Sequence, residues 1–308
     1  MRLAIVTGAN GAIGQTVVGE LSRAGWRVAG IGHGPVQWIA PQAIDHWIAG
    51  DVNGENLDVL ADRAGKPDLI INLAGGSAVG PSLLTPLSDF DRTVNTTAKL
   101  LNWTWTHAPK AQFVYISSAA IYGGGHATPI IETTPATPLS PYGHHKYLAE
   151  ELVRYWAKQF DIASAIVRPF SVYGPGLRKQ LIFELCRRLS QSDAPLTMSG
   201  TGREQRDWVE IGDIARMIVG AAEHASTATP TFNASSGTGT TVHDTVAALI
   251  EAWGDRRPFS FDGQVRASDP AYLVGSARRL EELGVAAATP LAEGLAKTVR
   301  FFRAKEQN

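Results

Sequence analysis

The sequence predicts an α/β fold in which a doubly wound parallel sheet is joined to a smaller mixed C-terminal lobe. In the first half of the chain, short and nearly continuous apolar runs alternate with amphipathic stretches. Apolar strands separated by helices are typical of a parallel sheet that is covered on both faces. A glycine-rich turn follows the first apolar run directly, and the pattern changes after Gly174, where strands become short and sparse.

The predicted strands and helices of the first half follow one another in order. The runs that predict strands cover residues 3–6, 27–31, 68–73, 113–117 and 163–167, and the helical stretches cover 13–24, 87–107 and 141–159. In the helix over 87–107, apolar residues recur every three or four positions, which predicts one buried stripe. The stripe comprises Leu87, Phe90, Val94, Ala98, Leu101 and Trp105, and it leaves Trp103 outside.

The chain beyond Gly174 predicts a second and smaller unit. Its helices are frequent, and its loops are rich in Pro, Gly, Ser and Thr. No linker of low complexity separates the two parts, so the boundary between them is soft. We predict one domain over residues 1–174 and a lobe over residues 175–308, with some of the later elements returning to the sheet.

Composition and charge exclude several classes of protein. Of the 308 residues, 44% are hydrophobic and 19% are charged, which is an ordinary globular mixture. The formal net charge is −1, so no global basic field recruits nucleic acid. No apolar run approaches the roughly 20 residues of a membrane span, and the N-terminus lacks a signal-peptide pattern, so we expect no membrane partner and a cytoplasmic location. Cys186 alone cannot form an intrachain disulfide, and no spacing of His, Cys, Asp or Glu suggests a metal site.

The turn between the first strand and the first helix predicts a dinucleotide site. Its glycines permit a tight turn and let the backbone approach a pyrophosphate, while the helix N-terminus offers N–H groups and a partial positive charge. Such a turn between a first strand and a first helix is typical of the Rossmann fold, although a purely structural tight turn is the other interpretation. The predicted phosphate-binding residues are Gly8, Asn10, Gly11, Ala12, Ile13 and Gly14.

The end of the second predicted strand bears on which dinucleotide is bound. Folds that prefer NAD usually carry an acid there, which bonds the ribose hydroxyls, but this chain has Gly32, His33 and Gly34. Without that acid a 2′-phosphate is not repelled, and His33 offers a donor to it, so NADP stays open beside NAD. A solvated loop histidine is the alternative interpretation of His33. Asp51, after the next strand, is placed to accept from the adenine amino group.

Tyr142 and Lys146 are the predicted catalytic residues. If both lie on one helix, their four-residue spacing places them on one face. A tyrosine ordinarily has a pKa of about 10, and a nearby cation lowers that pKa towards the neutral range. The same spacing also fits two surface residues of a helix. Ser118, at the end of a predicted strand, adds a hydroxyl that can hold the substrate oxygen from which Tyr142 takes a proton.

A serine, a tyrosine and a lysine on this fold resemble the active site of the extended short-chain dehydrogenase/reductase family. Within that family the likeness is to the nucleotide-sugar 4-epimerases and their 4-ketoreductase relatives, and it covers nearly the whole chain. It rests also on segments 74–82, 94–97, 168–176, 200–213 and 266–272. The resemblance implies further dinucleotide-binding residues, namely Val52, Leu73, Ala74, Gly75, Asn95, Ser117 and Pro169, besides Tyr142 and Lys146. It implies that the nucleotide sugar is held by Ser77, Ser118, Ala119, Tyr142, Ser171, Arg206, Arg266 and Tyr272, with the two arginines on the diphosphate.

Two departures from the family pattern bear on the reaction. Ser171 stands where the family has an asparagine that bonds the substrate phosphates. Ala119 and Ala120 stand where the dehydratases have an acid pair, so dehydration is disfavoured. The resemblance therefore implies an NAD(P)-dependent nucleotide-sugar 4-epimerase of the UDP-glucose type. In such an enzyme Tyr142 takes the proton of the 4-hydroxyl, while the cofactor takes the C4 hydride and later returns it.

The alternative is an NADPH-dependent reductase of a nucleotide-linked 4-keto-6-deoxy sugar, in which Tyr142 acts as the acid. The segment from Ala74 and the segment of Arg266 favour the epimerase, and the missing acid near Gly32 favours the reductase. A non-catalytic cofactor-binding protein is a remote alternative, against which the intact Ser118, Tyr142 and Lys146 argue. The family commonly dimerises through the two helices over 87–107 and 141–159, which implies a homodimer.

Overall fold

The computed structural model describes residues 1–34, 41–265 and 269–306 and confirms the α/β fold. Strands and helices are numbered here along the chain. The central sheet has seven parallel strands, which are β1 (Leu3–Thr7), β2 (Arg27–Gly32), β3 (His46–Ala49), β4 (Leu69–Asn72), β5 (Gln112–Ile116), β6 (Ser164–Pro169) and β10 (Thr231–Ala234). Their order across the sheet is β10-β6-β5-β4-β1-β2-β3.

Helices cover both faces of this sheet. They are α1 (Ala12–Arg23), α2 (Gly54–Ala64), α3 (Val79–Leu84), α4 (Pro86–Phe90), α5 (Thr96–His107), α6 (Pro141–Phe160) and α8 (Ile211–Ala222). One apolar core joins α1 and α8 to the sheet, with Val17, Leu21, Ile214 and Ile218 among its buried side chains. The other joins α2, α5 and α6 to the opposite face, with Leu57, Leu100, Ala149 and Val153.

The strand order reverses between β1 and β4. The chain moves outward from β1 to β2 and β3 on one side, and then crosses to β4, β5 and β6 on the other. In open parallel sheets, ligands bind in the crevice at the carboxyl ends of the strands at such a point. The fold therefore places the turns after β1, β4, β5 and β6 around one crevice.

Helix α6 is fixed at its start by the residues that precede Tyr142. The hydroxyl of Ser140 accepts a hydrogen bond from the N–H of Gly143 at 3.2 Å, and Pro141 occupies the first helical position. Both are preferred at a helix N-terminus, because the hydroxyl satisfies a free N–H and proline has no N–H to satisfy. The helix ends at Phe160, before Asp161 in the left-handed conformation.

The predicted continuous helix over 87–107 is interrupted, and its predicted stripe is wrong at both ends. A π-helical turn covers Asp91–Asn95 between α4 and α5. A π turn holds more residues than an α turn, so it rotates the face that follows it. Trp103 is consequently 3% exposed and Trp105 is 42% exposed, the reverse of the prediction, and Leu87 is also exposed.

The later part of the chain builds two small sheets and returns one strand to the large sheet. Its strands are β7 (Ser171–Tyr173), β8 (Leu196–Met198), β9 (Gln205–Glu210), β11 (Gly239–Thr241), β12 (Phe259–Phe261) and β13 (Tyr272–Leu273). Its helices are α7 (Gln180–Gln191), α9 (Val242–Trp253), α10 (Arg278–Glu282) and α11 (Leu291–Glu306). Strand β9 pairs with β7, β11 and β13, β8 pairs with β12, and β10 lies beside β6 at the edge of the large sheet. Among the described helices, none has the length and apolar character needed to cross a membrane.

Candidate active site

The glycine-rich turn between β1 and α1 forms a backbone cradle. Gly8 has a φ of +66°, in the left-handed region that favours glycine. A Cβ on Gly14 would lie 2.2 Å from the carbonyl oxygen of Gly8, so only glycine permits this approach. Helix α1 begins after Gly11 with no side-chain cap and no acid in its first turn. These residues fit a pyrophosphate, because the start of α1 presents N–H groups and partial positive charge without a competing carboxylate.

The predicted adenosine end of the site lies where β2 and β3 finish. His33 Nε2 lies 3.0 Å from Asp51 Oδ1, and both side chains are largely exposed. The side-chain amide of Asn10 donates to the carbonyl oxygen of His33, which joins this corner to the glycine turn. Val52, next to Asp51, is buried. A carboxylate therefore lies beside His33, but it belongs to Asp51, which follows β3, and not to a residue at the end of β2.

Buried polar side chains hold the loop after β4 against the glycine turn. Thr7 Oγ1 donates to Asn72 Oδ1 at 2.8 Å and accepts from the N–H of Ala74 at 3.1 Å. A Cβ on Gly8 would lie 3.0 Å from the carbonyl carbon of Leu73. The cradle and the loop 73–77 are therefore in direct contact, as one continuous lining of the crevice.

The π-helical turn brings Thr93, and not Asn95, to this loop. Thr93 Oγ1 is buried and accepts from the N–H of Gly76 at 2.8 Å. Asn95 is exposed, and its side-chain amide donates to Asp91 at 2.6 Å. Thr93 is buried and Asn95 is exposed, so their side chains leave the turn on different sides. The structure therefore does not place Asn95 with the other predicted dinucleotide-binding residues.

Ser118, Tyr142 and Lys146 converge at the carboxyl end of β5. Ser118 is close enough to Tyr142 for its hydroxyl to lower the pKa of the tyrosine. Ser118 also accepts from the N–H of Ala120 at 3.1 Å, which fixes its side chain at the start of a 3₁₀ turn over Ala119–Tyr122. Lys146 is buried and donates to the carbonyl oxygen of Ile116 at 2.9 Å. A Cβ on Gly75 would lie 3.4 Å from Lys146 Nζ, so the loop after β4 meets the trio directly.

The protein alone holds Tyr142 protonated and makes Lys146 easier to neutralise. Burial raises the pKa of Tyr142, the hydroxyl of Ser118 lowers it, and the charge of Asp89 raises it further. Burial lowers the pKa of Lys146 to about 8, although Asp89 opposes that shift. A phenolate at Tyr142 near neutral pH therefore needs a further positive charge beside it.

An acid and a histidine lie behind Ser118, Tyr142 and Lys146. Asp89 Oδ2 is 2.7 Å from Nδ1 of His145, the residue before Lys146. A Cβ on Gly76 would lie 1.8 Å from Asp89 Oδ1, so Asp89 also packs directly against the loop after β4. The pair joins α4 to α6 and places one negative charge near both catalytic side chains.

One turn further along α6, Glu150 forms a buried ion pair. Its two carboxylate oxygens accept from Arg168 Nε at 2.9 Å and Nη2 at 2.7 Å. The guanidinium also donates to the hydroxyl of Tyr122 at 2.7 Å. Pro169 follows Arg168 at the end of β6 and is buried, as is Ser117 at the end of β5. The ion pair between Glu150 and Arg168 therefore fixes α6 against the end of β6, next to the site.

The predicted substrate residues of the later part of the chain meet around β9. Ser171 on β7 pairs with Trp208, and Tyr272 on β13 pairs with Gln205. The guanidinium of Arg206 is paired with Asp269 and donates to the carbonyl oxygen of Pro270 at 2.7 Å. Arg206 thus lies between β7 and β13 and is already engaged by neighbouring groups. Arg266 lies outside the described residues.

Lys179 is a cation of the site that the sequence motifs did not indicate. Its ammonium donates to the carbonyl oxygen of Ser77 at 2.6 Å, across 102 residues of sequence. Ser77 itself is exposed at the mouth of the crevice. The one signal in the sequence is the basic pair Arg178-Lys179 directly before an amphipathic helix, a pattern that also fits an ordinary solvated loop.

The arrangement can bind a dinucleotide, hold a hydroxyl or carbonyl between Ser118 and Tyr142, and exchange a proton with it. Hydride transfer fits this arrangement, since the cradle, the loop 73–77 and Tyr142 line one crevice. Ala119, which is buried, and Ala120 directly follow Ser118, so no acid pair stands at those two positions. Within the described residues, no group of three metal-ligating side chains comes together.

Comparisons with known proteins agree on one family. The family model described as "NAD dependent epimerase/dehydratase family" matches residues 4–235. The UDP-glucose 4-epimerase of Azospirillum brasilense is 28% identical over 90% of this chain and 85% of its own length. The crystal structure of a UDP-glucose 4-epimerase with UDP-glucose, from Thermotoga maritima, superposes with a TM-score of 0.90 at 26% identity over 99% of each chain. MoeE5 in complex with UDP-glucuronic acid and NAD gives a TM-score of 0.87 at 28% identity, over 98% of this chain and 99% of its own.

Proposed function

Because this chain belongs to the NAD dependent epimerase/dehydratase family, we propose that it is an NAD-dependent 4-epimerase of a UDP-sugar. Family membership confirms the resemblance drawn from the sequence and makes the protein an enzyme. The observation that carries the proposal is the convergence of Ser118, Tyr142 and Lys146 beside the glycine cradle. The alanines at 119 and 120 leave no acid pair for dehydration, so the redox chemistry of this trio is the reaction that the site supports.

In this proposal the chain's own residues orient the sugar and move one proton. Ser118 and Tyr142 hold the oxygen at C4. Tyr142, as the phenolate, accepts the proton of the 4-hydroxyl, and Lys146 stabilises the negative charge of that phenolate. When bound, the dinucleotide supplies the positive charge that lowers the pKa of Tyr142 and accepts the C4 hydride, which returns to the other face of the 4-keto sugar. Tyr142 then gives its proton back to the C4 oxygen, so each cycle ends with no net oxidation.

The contact between His33 and Asp51 supports NAD over NADP. A carboxylate 3.0 Å from His33 repels a 2′-phosphate and can accept from the adenosine. The reductase alternative keeps one supporting observation, which is that β2 itself ends without an acid. The nature of the cofactor therefore separates the two functions, since an epimerase retains NAD and a reductase exchanges NADPH.

Two measurements test the proposal. The purified protein is denatured and the released dinucleotide identified, and interconversion of UDP-glucose and UDP-galactose is followed without added cofactor. We expect about one equivalent of NAD per chain and turnover without addition. A protein that is empty, binds NADPH more tightly than NADH and leaves the UDP-sugars unchanged would contradict the epimerase and support the reductase.

A substitution then tests the role of Tyr142. Tyr142→Phe removes the proton-carrying oxygen and should abolish turnover, while the dinucleotide stays bound because the cradle is untouched. Tyr155→Phe is the matched control, since Tyr155 lies on the same helix and is exposed. Turnover that survives in Tyr142→Phe would contradict the assignment.

The same family membership supports a homodimer through α5 and α6. Trp105 on α5 contacts Phe160 on α6, with ring centroids 4.8 Å apart, and Trp156 lies 4.6 Å from Phe160. Trp105 is an exposed large aromatic on this face. Trp105→Glu should halve the mass measured by light scattering, whereas Val59→Glu, at an exposed apolar residue of α2, should not. A wild-type protein that is monomeric would contradict the dimer.

A further inference from the structure

The segment between β7 and α7 carries a cation that the proposed mechanism does not use. Lys179 immediately precedes α7, yet its ammonium reaches the carbonyl oxygen of Ser77 at 2.6 Å. Ser77 belongs to the loop after β4, whose residue Gly75 adjoins Lys146. This hydrogen bond joins the segment before α7 to the loop after β4, which lies beside Lys146.

The charge of Lys179 is not balanced by a carboxylate. Among the residues that the structure describes, no Asp or Glu forms an ion pair with Lys179, and a neutral carbonyl is its partner. Burial lowers the pKa of Lys179. Burial and, less strongly, the charge of Lys179 lower the pKa of Lys146. Asp89 acts on Lys146 more strongly than Lys179 does, whereas burial is the cause of the lowered pKa of Lys179. An anion beside Lys179 would stabilise its partly buried ammonium.

A buried donor near Lys179 has no hydrogen-bond partner among the described residues. Trp208 and Lys179 line the same cavity between β7, β9 and α7. The indole N–H of Trp208 is buried, and no group in residues 1–34, 41–265 and 269–306 accepts from it. A buried donor without an acceptor usually belongs with a ligand or a water molecule. Trp208 also pairs with Ser171, where the family's phosphate-binding asparagine is missing.

We infer that Lys179 binds an anionic oxygen group of the nucleotide sugar, beside Ser171, where the family's asparagine is replaced. The identity of the ligand rests on the proposed function. The anion has two sources, the diphosphate that every such substrate carries and a carboxylate on the sugar, as in the UDP-glucuronic acid bound by MoeE5. The lysine touches the loop of Ser77 on one side and shares a cavity with Trp208 on the other, so its position suits either source.

The test is calorimetric binding of UDP, UDP-glucose and UDP-glucuronic acid to the full chain saturated with NAD. Lys179→Gln keeps a donor for the Ser77 carbonyl but removes the charge, and Lys179→Met removes both. Lys66→Met is the matched control, because Lys66 is exposed in the loop that leads into β4, at the amino ends of the strands and away from the crevice. Loss of a hydrogen bond to a charged group corresponds to affinity that is weaker by about 10- to 100-fold.

Each outcome decides one point. Equal weakening of all three nucleotides by Lys179→Gln supports the diphosphate, and weakening of UDP-glucuronic acid alone supports the sugar carboxylate. If Lys179→Gln binds all three nucleotides as tightly as the wild type does, the inference is overturned. This holds even if Lys179→Met binds them weakly, because the lysine then acts only through its hydrogen bond to the Ser77 carbonyl. Equal losses in Lys66→Met also overturn it. A wild-type protein that binds none of the three nucleotides contradicts the proposed function instead.

Discussion

The imidazole of His145 lies 2.7 Å from the carboxylate of Asp89, and both side chains are almost fully buried. The contact places an acid behind the catalytic trio, on a short helix that the sequence did not mark as functional. Burial has the largest influence on the pKa values of both Tyr142 and Lys146, and Asp89 raises both. We therefore expect Asp89 to influence the pH range in which the site is active.

Asp89→Asn should move the pH dependence of activity to lower pH. Removal of the carboxylate lowers the pKa of Lys146, so the ammonium is lost at a lower pH, and it also lowers the pKa of Tyr142. The measurement is kcat/KM against pH, with Asp91→Asn as the control, because Asp91 is exposed in the neighbouring π turn. Superimposable profiles for the wild type and Asp89→Asn would show that Asp89 has no such influence.

The wild-type enzyme should lose activity as the pH rises through about 8. The pKa of Lys146 is lowered by burial to about 8, so its charge is present below that pH and lost above it. Without the ammonium, the phenolate of Tyr142 loses its stabilising partner. Lys146→Met should reduce kcat by about 100-fold or more and remove this alkaline limb. A kcat that stays level to pH 9.5, where an ordinary lysine is still charged, would contradict the lowered pKa.

Gly14→Ala should weaken dinucleotide binding and destabilise the fold. Its Cβ would lie 2.2 Å from the carbonyl oxygen of Gly8, and overpacking of this kind costs about 1–3 kcal/mol. Gly19→Ala, on the same helix, is the control, since no atom lies within 4 Å of a Cβ there and alanine favours the helix. Thermal unfolding and NAD titration of both variants give the comparison, and equal effects would show that the cradle is not tight.

Breaking the Glu150–Arg168 pair on one side should destabilise the protein strongly. Burial alone would raise the pKa of Glu150, but Arg168 and Arg154 outweigh it and the pKa is lowered. The stabilisation is therefore present above the ordinary carboxylate pKa and is lost as the pH falls. Arg168→Met leaves a buried carboxylate unpaired by its main partner, which costs about 3–5 kcal/mol. The matched control is Arg187→Met, which breaks an exposed pair with Glu184 and should leave the unfolding midpoint unchanged.

Asp51→Asn should raise the affinity for NADPH relative to NADH. The change removes the carboxylate that lies 3.0 Å from His33 and leaves the imidazole free to face a 2′-phosphate. Titration of the protein stripped of its dinucleotide measures the ratio of the two affinities. A ratio that does not change would show that Asp51 takes no part in the choice of cofactor.

The elements that follow local rules were predictable from the sequence. The strand, glycine turn and helix at the N-terminus depend on neighbouring residues, and so does the four-residue spacing of Tyr142 and Lys146 on a capped helix. The large sheet followed from the apolar runs, and the structure confirms it. These features could be predicted because each strand, turn or helix depends on residues that are close together in the sequence.

The features that failed or were missed depend on distant contacts. Trp103 and Trp105 exchanged roles because the π-helical turn before them rotates the helix face that follows it. Within that turn Thr93, and not Asn95, contacts the loop after β4. No periodicity of the sequence reports such a turn, whose Thr93 accepts a hydrogen bond from the N–H of Gly76 in the loop after β4. Lys179 was missed for a similar reason, since its partner at Ser77 lies 102 residues away.

The position of β10 has a consequence for the synthesis of the chain. This strand covers the free edge of β6, although β7, α7, β8, β9 and α8 lie between the two strands in sequence. While residues 1–174 alone have emerged from a ribosome, β6 presents unpaired N–H and C=O groups along one side, an edge on which other chains can add. The nascent protein is therefore exposed to aggregation until Thr231–Ala234 arrives, and a fragment cut at Gly174 would keep that open edge permanently.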